Sequence, residues 1–322
     1  MKPLIAATLT LKMKNIYMKT RIWRCIFGAL VFASVLQSCQ TKVETPSGAA
    51  YPILFGSLES RATADLDDLK KDGFMVWAYF EGNLGGTSFE KKVTYNTSQS
   101  IWAYEPLEYW IPNTKYWFKA FYPAEPVAGE LAIDCTNQNL DVTITGFDVA
   151  NYQEDIMIAS AERTVPEDSD VPSEGSVVTL SFNHLLANIE IKIKSAVSGI
   201  TINNITIEHA DNKANYSSTE GWVSTATADI QISSGVSLTV GDDYKAVTGN
   251  GILVIPASSA GKTLVIDASN KIYRIDFPSD IEWESGVKYV YTMDIKQSNI
   301  IFNEPSVEKW DSENATGSVI IK

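Results

Sequence analysis

The chain has 322 residues, with 26 Lys and Arg against 39 Asp and Glu, two His and three Cys, for a formal net charge of −13 at neutral pH. This acidic balance argues against nucleic-acid binding, which needs a basic footprint on the phosphate backbone. It suits a solvated surface protein instead.

The N-terminus comes first in chain order. Cys25–Leu36 is an apolar run of about 12 residues, preceded by Lys19, Arg21 and Arg24, with no acid before Glu44. A bilayer-spanning helix needs roughly 20 apolar residues. A short apolar run behind a basic segment reads as a signal peptide. Leu36-Gln37-Ser38-Cys39 resembles a bacterial lipobox, in which the cysteine thiol takes a diacylglycerol and becomes the new N-terminus. Acyl chains there would anchor a soluble domain to lipid without spanning the bilayer. Residues 1–38 are therefore read as the signal peptide, with Met18 as the expected start, and residues 39–50 as a lipid-anchored linker. The alternative is an unmodified Cys39 beside an ordinary cleavage site. Gln40-Thr41 lacks the aspartate associated with inner-membrane retention, so the outer membrane is the expected destination. Losing the six Lys and Arg of residues 1–38 takes the 26 basic residues to 20 against 39 acids, a net charge of −19. Cys135 is then the one cysteine besides Cys39, and no disulfide can form within the mature chain.

The next stretch, Tyr51-Pro-Ile-Leu-Phe-Gly-Ser57, is strand-like, with Tyr51, Ile53 and Phe55 on one face. Ala64–Lys71 is the one expected helix, with Thr63 as N-cap and Gly73 just past its end. Strands are expected at Gly73–Phe80, Ser88–Tyr95, Ser100–Tyr104, Tyr116–Tyr122, Glu130–Ile133 and Leu140–Thr145. The acid- and proline-bearing segment Arg163–Gly175 reads as a linker between two domains, 51–170 and 176–322; an exposed loop inside one domain is the alternative. Beyond it, Asn188–Lys194 alternates cleanly, placing Ile189, Ile191 and Ile193 inward and Glu190, Lys192 and Lys194 in water, as in a half-buried antiparallel strand. Further strands are expected at Gly199–Ile207, Ala228–Ile232, Val236–Val240, Gly251–Ile255, Lys262–Ala268, Lys271–Phe277 and Lys288–Ile295. Turn clusters at Ser233-Ser234-Gly235, Gly249-Asn250-Gly251 and Ala268-Ser269-Asn270 separate them. Many short strands with regular turns make the chain all-β, a sandwich or barrel.

Catalytic and metal signatures are missing. His184 and His209 stand in no paired metal spacing, and there is no nucleophile elbow, P-loop or dinucleotide-binding glycine pattern. His184 reads as a satisfied structural histidine. Glu167, Asp168, Asp170 and Glu174 could supply oxygens to calcium, yet they lack the spacing of a known loop and read as a solvated linker. No cofactor, metal or catalytic residue is expected. Nine aromatics fall between Trp102 and Tyr122: Trp102, Tyr104, Tyr109, Trp110, Tyr116, Trp117, Phe118, Phe121 and Tyr122. Exposed, they would stack on sugar faces and make the chain a glycan-binding surface lipoprotein. Buried, they pack a sandwich core, which is the favoured reading.

Four stretches together resemble the fimbrillin-like proteins of the Bacteroides group. They are Tyr109-Trp110-Ile111-Pro112 with Tyr116–Pro123, then Phe182–Ile189, then Trp283–Tyr291, and last Val307-Glu308-Lys309-Trp310. The lipobox-like segment agrees with them. The resemblance implies two transthyretin-like β-sandwich domains in tandem, in a lipoprotein precursor that reaches the outer membrane. It further implies removal of an N-terminal segment by an arginine-directed protease and polymerisation into a surface pilus by strand exchange. On these residues the cut would fall between Arg61 and Ala62. The displaced strand would carry Tyr51, Ile53 and Phe55. The donated strand would carry Val319 and Ile321, from the C-terminal stretch Gly317–Lys322. The implied partners are other fimbrillin subunits in a head-to-tail polymer, outer-membrane lipid through Cys39, and a host receptor or glycan.

Overall fold

The structure is a computed structural model that describes residues 51–57, 63–81, 89–125, 132–135, 140–269, 271–297 and 300–310. Four sheets carry the architecture. Sheet I is antiparallel and six-stranded, in the order Asn183–His184, Met157–Val165, Thr114–Tyr122, Phe74–Phe80, Phe89–Asn96, Ile101–Ala103. Sheet II has only two strands, Leu54–Ser57 and Val177–Leu180, which run parallel. Ile53, Phe55, Val178 and Leu180 share a buried cluster with Phe74, Val76, Tyr116 and Phe118 of sheet I, which makes an N-terminal sandwich.

Sheet III centres on Ala187–Ser195. It pairs in parallel with Val287–Ile295 on one side and antiparallel with Lys245–Ala246 and Ile252–Val254 on the other. Sheet IV is built on the 18-residue strand Ile200–Ser217. That strand pairs with Gly221–Leu238 along one edge and with Thr263–Ala268 and Thr143–Asp148 along the other. The isoleucines at 189, 191, 193, 202, 205, 207 and 266 meet between the two sheets with no exposed area. Fully burying one such side chain contributes about 1.5–3 kcal/mol.

Three expectations are revised. Glu190 is buried rather than solvated, because Ala187–Ser195 has neighbours on both edges; its carboxylate is met by Lys288 at 2.6 Å and Lys192 at 3.5 Å. Ala228–Ile232 and Val236–Val240 are not separate strands divided by a turn. They lie largely within the single strand Gly221–Leu238, where Gly235 takes a φ of +71° at a register shift. The division of the chain near residues 170–176 does not follow the sheets either. Thr143–Asp148 and Ala132–Asp134 belong to sheet IV, while Val177–Leu180 packs into the N-terminal core.

The helix spans Thr63–Asp72, so Thr63 is its first residue and not a residue outside it. It ends as expected at Gly73, whose N–H bonds the Leu69 carbonyl at 2.9 Å with a φ of +70°. Among the described residues no helix is long and apolar enough to cross a membrane.

Candidate assembly site

The candidate site lies under the N-terminal strand. Its sequence explains its form: Ile53 and Phe55 alternate inward, Gly56 adds no side chain, and Pro52 sits before the regular strand, where a missing N–H costs no ladder bond. Ile53 and Phe55 are 0% and 2% exposed, whereas Tyr51 is exposed. The expected inward face therefore holds at its last two residues, and Tyr51 contributes through its backbone.

The strand is tied down from two sides. Ile53 N–H donates to the Glu108 carbonyl at 2.8 Å, and Trp110 N–H donates to the Tyr51 carbonyl at 3.0 Å. Leu54 N–H donates to the Ser176 carbonyl at 3.1 Å, where the parallel ladder begins. The Tyr104 hydroxyl donates to the Ile53 carbonyl at 2.7 Å and accepts from Glu108 N–H at 3.2 Å. Beneath these bonds the Phe55 ring lies 5.4 Å from Tyr104 and 5.9 Å from Phe118. Trp110 stands edge-on to Tyr116 at 4.9 Å. Without residues 51–57, Tyr104, Trp110, Phe118, Val178 and Leu180 would line an apolar groove edged by unpaired main-chain groups. Burial pushes the Tyr104 phenol up to about 12 and raises Tyr116 as well, since a phenolate has no water to solvate it there.

Sequence reasoning missed the far wall of this site. Val177–Leu180 was not expected as a strand, although Val178, Leu180 and Phe182 alternate inward and are all buried. Of the nine clustered aromatics, Tyr104, Trp110, Tyr116, Phe118, Phe121 and Tyr122 are buried; Tyr109 is exposed, and Trp102 and Trp117 are half-buried. Cys39, Arg61, Ala62, Val319 and Ile321 lie outside the described residues.

His184 is buried, with Nδ1 2.5 Å from an Asp155 carboxylate oxygen and its ring stacked on Trp310 at 4.2 Å. Glu167, Asp168, Asp170 and Glu174 lie between the strands Met157–Val165 and Val177–Leu180. No group of three or more His, Cys, Asp or Glu able to hold a metal occurs among the described residues.

The described residues are β-sheets packed over two buried clusters, with an aromatic-walled groove beneath the N-terminal strand. The model of the fimbrillin-like family matches residues 60–310, and the chain belongs to that family. Its fold is similar to that of a fimbrial protein from Bacteroides vulgatus, with a TM-score of 0.59, 18% identity, and coverage of 80% of this chain and 99% of that one. It is also similar to two proteins assigned to cell adhesion. One, from Bacteroides uniformis, has a TM-score of 0.52 and 18% identity, covering 82% of this chain and 99% of that one. The other, from Bacteroides ovatus, has a TM-score of 0.56 and 13% identity, covering 81% and 98%. Identities this low speak for the fold alone. No curated protein matches the chain. The fimbrillin-like family is structural rather than enzymatic, and membership makes this chain a pilus-related component of the cell surface.

Proposed function

We propose that the chain is a pilus subunit or accessory component whose N-terminal strand is a removable cover, released by proteolysis after Arg61 and replaced by a strand from another subunit. The observation that carries this reading is that Leu54–Ser57 forms half of a two-stranded sheet and places Ile53 and Phe55 in the core. Removing those two side chains forgoes roughly 3–6 kcal/mol of apolar burial and leaves main-chain donors and acceptors open. A strand added from a neighbour restores both, with hydrogen bonds giving affinity and alternate side chains giving register. Val319 and Ile321 are the side chains proposed to fill the pockets of Ile53 and Phe55. Because donor and acceptor are different surfaces, the contact is head-to-tail and extends into a filament. Before processing, the lipid on Cys39 holds the precursor at the outer membrane.

Limited digestion of the precursor with an arginine-directed protease tests this. The expected result is a single cut after Arg61, followed by ladders that survive SDS. A cut chain that stays monomeric overturns the reading.

A second reading, glycan binding, has one supporting observation. The half-buried rings of Tyr79 and Trp117 lie 5.5 Å apart beside a pocket of about 400 Å³ that also contains Lys119, Ser160 and Glu162. Affinity electrophoresis through polysaccharide gels tests it, and migration unchanged by the Trp117→Ala substitution removes it.

A further inference from the structure

The outer face of the N-terminal strand is as apolar as its inner one. Ile53 and Phe55 point into the core, so by the alternation of an extended chain Pro52 and Leu54 point out, and both are half-buried. Pro52 lies opposite Tyr109 in an antiparallel bridge, and Leu54 lies opposite the half-buried Val177 in the parallel pair. Beside the bridge Trp110 is buried, while Leu107, Tyr109 and Ile111 are 41%, 47% and 44% exposed. Six apolar side chains from three segments thus share one outward face. Tyr51–Phe55 and Leu107–Ile111 hold one charged residue between them, Glu108, and its carboxylate is met by Lys91 at 2.6 Å.

The solvent face of a half-covered sheet is ordinarily polar, and a contiguous apolar patch marks a contact. The chain itself points to what meets this one. Tyr51 stands at the margin of the patch, and Cys39 is 51 − 39 = 12 positions before it. A flexible coil of that length spans about 20 Å, less than the ~30 Å of a small domain. An acylated Cys39 therefore keeps this face turned to the lipid. A cut after Arg61 would remove Cys39 together with Pro52 and Leu54, so the patch is whole only while the lipid is attached. A contact between subunits of a finished polymer would have to outlast that cut, and this face does not.

We propose that in the uncleaved precursor this patch rests on the lipid surface that holds Cys39, with Leu107, Tyr109 and Ile111 in the interface. The inference rests on the reading of Cys39 as the lipid anchor. Tyrosine suits that depth, since its ring lies among apolar groups and its hydroxyl among the headgroups. With Glu108 paired to Lys91, no bare charge has to leave water. The tether holds the patch at high local concentration, so a contact too weak to bind lipid alone suffices. One cut after Arg61 then gives up the anchor and the patch together.

Quenching by labelled lipid tests this. The acylated precursor carrying Tyr109→Cys is labelled there with bimane and reconstituted into vesicles of phosphatidylethanolamine and phosphatidylglycerol, with a doxyl group on a fraction of the lipid. Cys135 is buried and does not compete for the label. An Ile272→Cys protein, labelled on the exposed strand Lys271–Asp276 of sheet IV, is the reference. Doxyl lipid should quench the label at 109 roughly threefold more than the label at 272, as expected of a group seated at the headgroup boundary. Adding Leu107→Asp and Ile111→Asp, both at exposed positions, should bring the two labels level while the protein still floats with the vesicles. Equal quenching at 109 and 272 in a protein that floats overturns the patch contact and leaves the anchor standing. A label at 109 that is shielded from water yet not quenched by lipid puts a protein partner there and also overturns it. A precursor that does not float and takes label at Cys39 overturns the anchor reading, and this inference with it.

Discussion

The hydroxyl of Tyr104 donates across 2.7 Å to the carbonyl of Ile53, a residue 51 positions earlier in the chain. This bond joins the wall of the groove to the strand that covers it. Both residues are buried, so the bond has no water to replace it. Tyr104→Phe keeps the ring packing on Phe55 and removes only the hydroxyl. The expected loss is about 1–3 kcal/mol, the cost of leaving a buried acceptor unpaired, read as a lower urea midpoint at unchanged slope.

Phe55→Ala should cost about 3–5 kcal/mol in the uncleaved protein, because a fully buried ring leaves a cavity between Tyr104 and Phe118. Tyr51→Ala should cost well under 1 kcal/mol, since Tyr51 is exposed and holds its place by its main chain. Equal losses from the two substitutions would mean that the strand is not seated through Phe55.

Alkaline pH should loosen the fold through its buried and half-buried phenols. Burial raises Tyr104, Tyr216 and Tyr291 to about 12, and it raises Tyr122 further with help from the nearby Asp72 carboxylate. An acid whose folded value lies above its unfolded value near 10 binds more protons when folded, so stability is intact below about pH 10 and falls as pH rises toward 12. Denaturation midpoints measured from pH 8 to 12 should be flat and then decline. After the N-terminal strand is removed, ultraviolet titration should show one phenol, Tyr104, ionising closer to its ordinary value.

Gly73→Ala should destabilise by more than about 1 kcal/mol, despite the helix propensity of alanine. The backbone there has a φ of +70°, and an added Cβ would lie 2.5 Å from the Val93 carbonyl oxygen. Thermal unfolding of the variant against the parent measures it.

Local periodicity carried much of the fold. The isoleucine alternation at 189, 191 and 193 predicts the strand and its inward face, because the hydrophobic signal has the period of the pleat. It could not reveal that the strand has a parallel neighbour on one edge and antiparallel ones on the other, which is what buries Glu190. Met157–Val165 was invisible for a related reason. Its inward positions include Ala159, Ala161 and Arg163, too small or too polar to register as a stripe. Gly235 was misleading in the other direction, since a glycine that relaxes a bulge looks the same in sequence as one that makes a turn. The covering strand was legible as a strand, but its partner was not. A parallel pairing of Leu54 with Val177 joins segments 123 positions apart, and nothing local announces it.

That separation has a consequence for the order of events during synthesis. Residues 54–57 emerge early but have no ladder until residue 180 exists, so they close over a wall that is already built. On the proposed reading such a piece is last in and first out: its departure would undo the final step of maturation and leave the earlier ones standing.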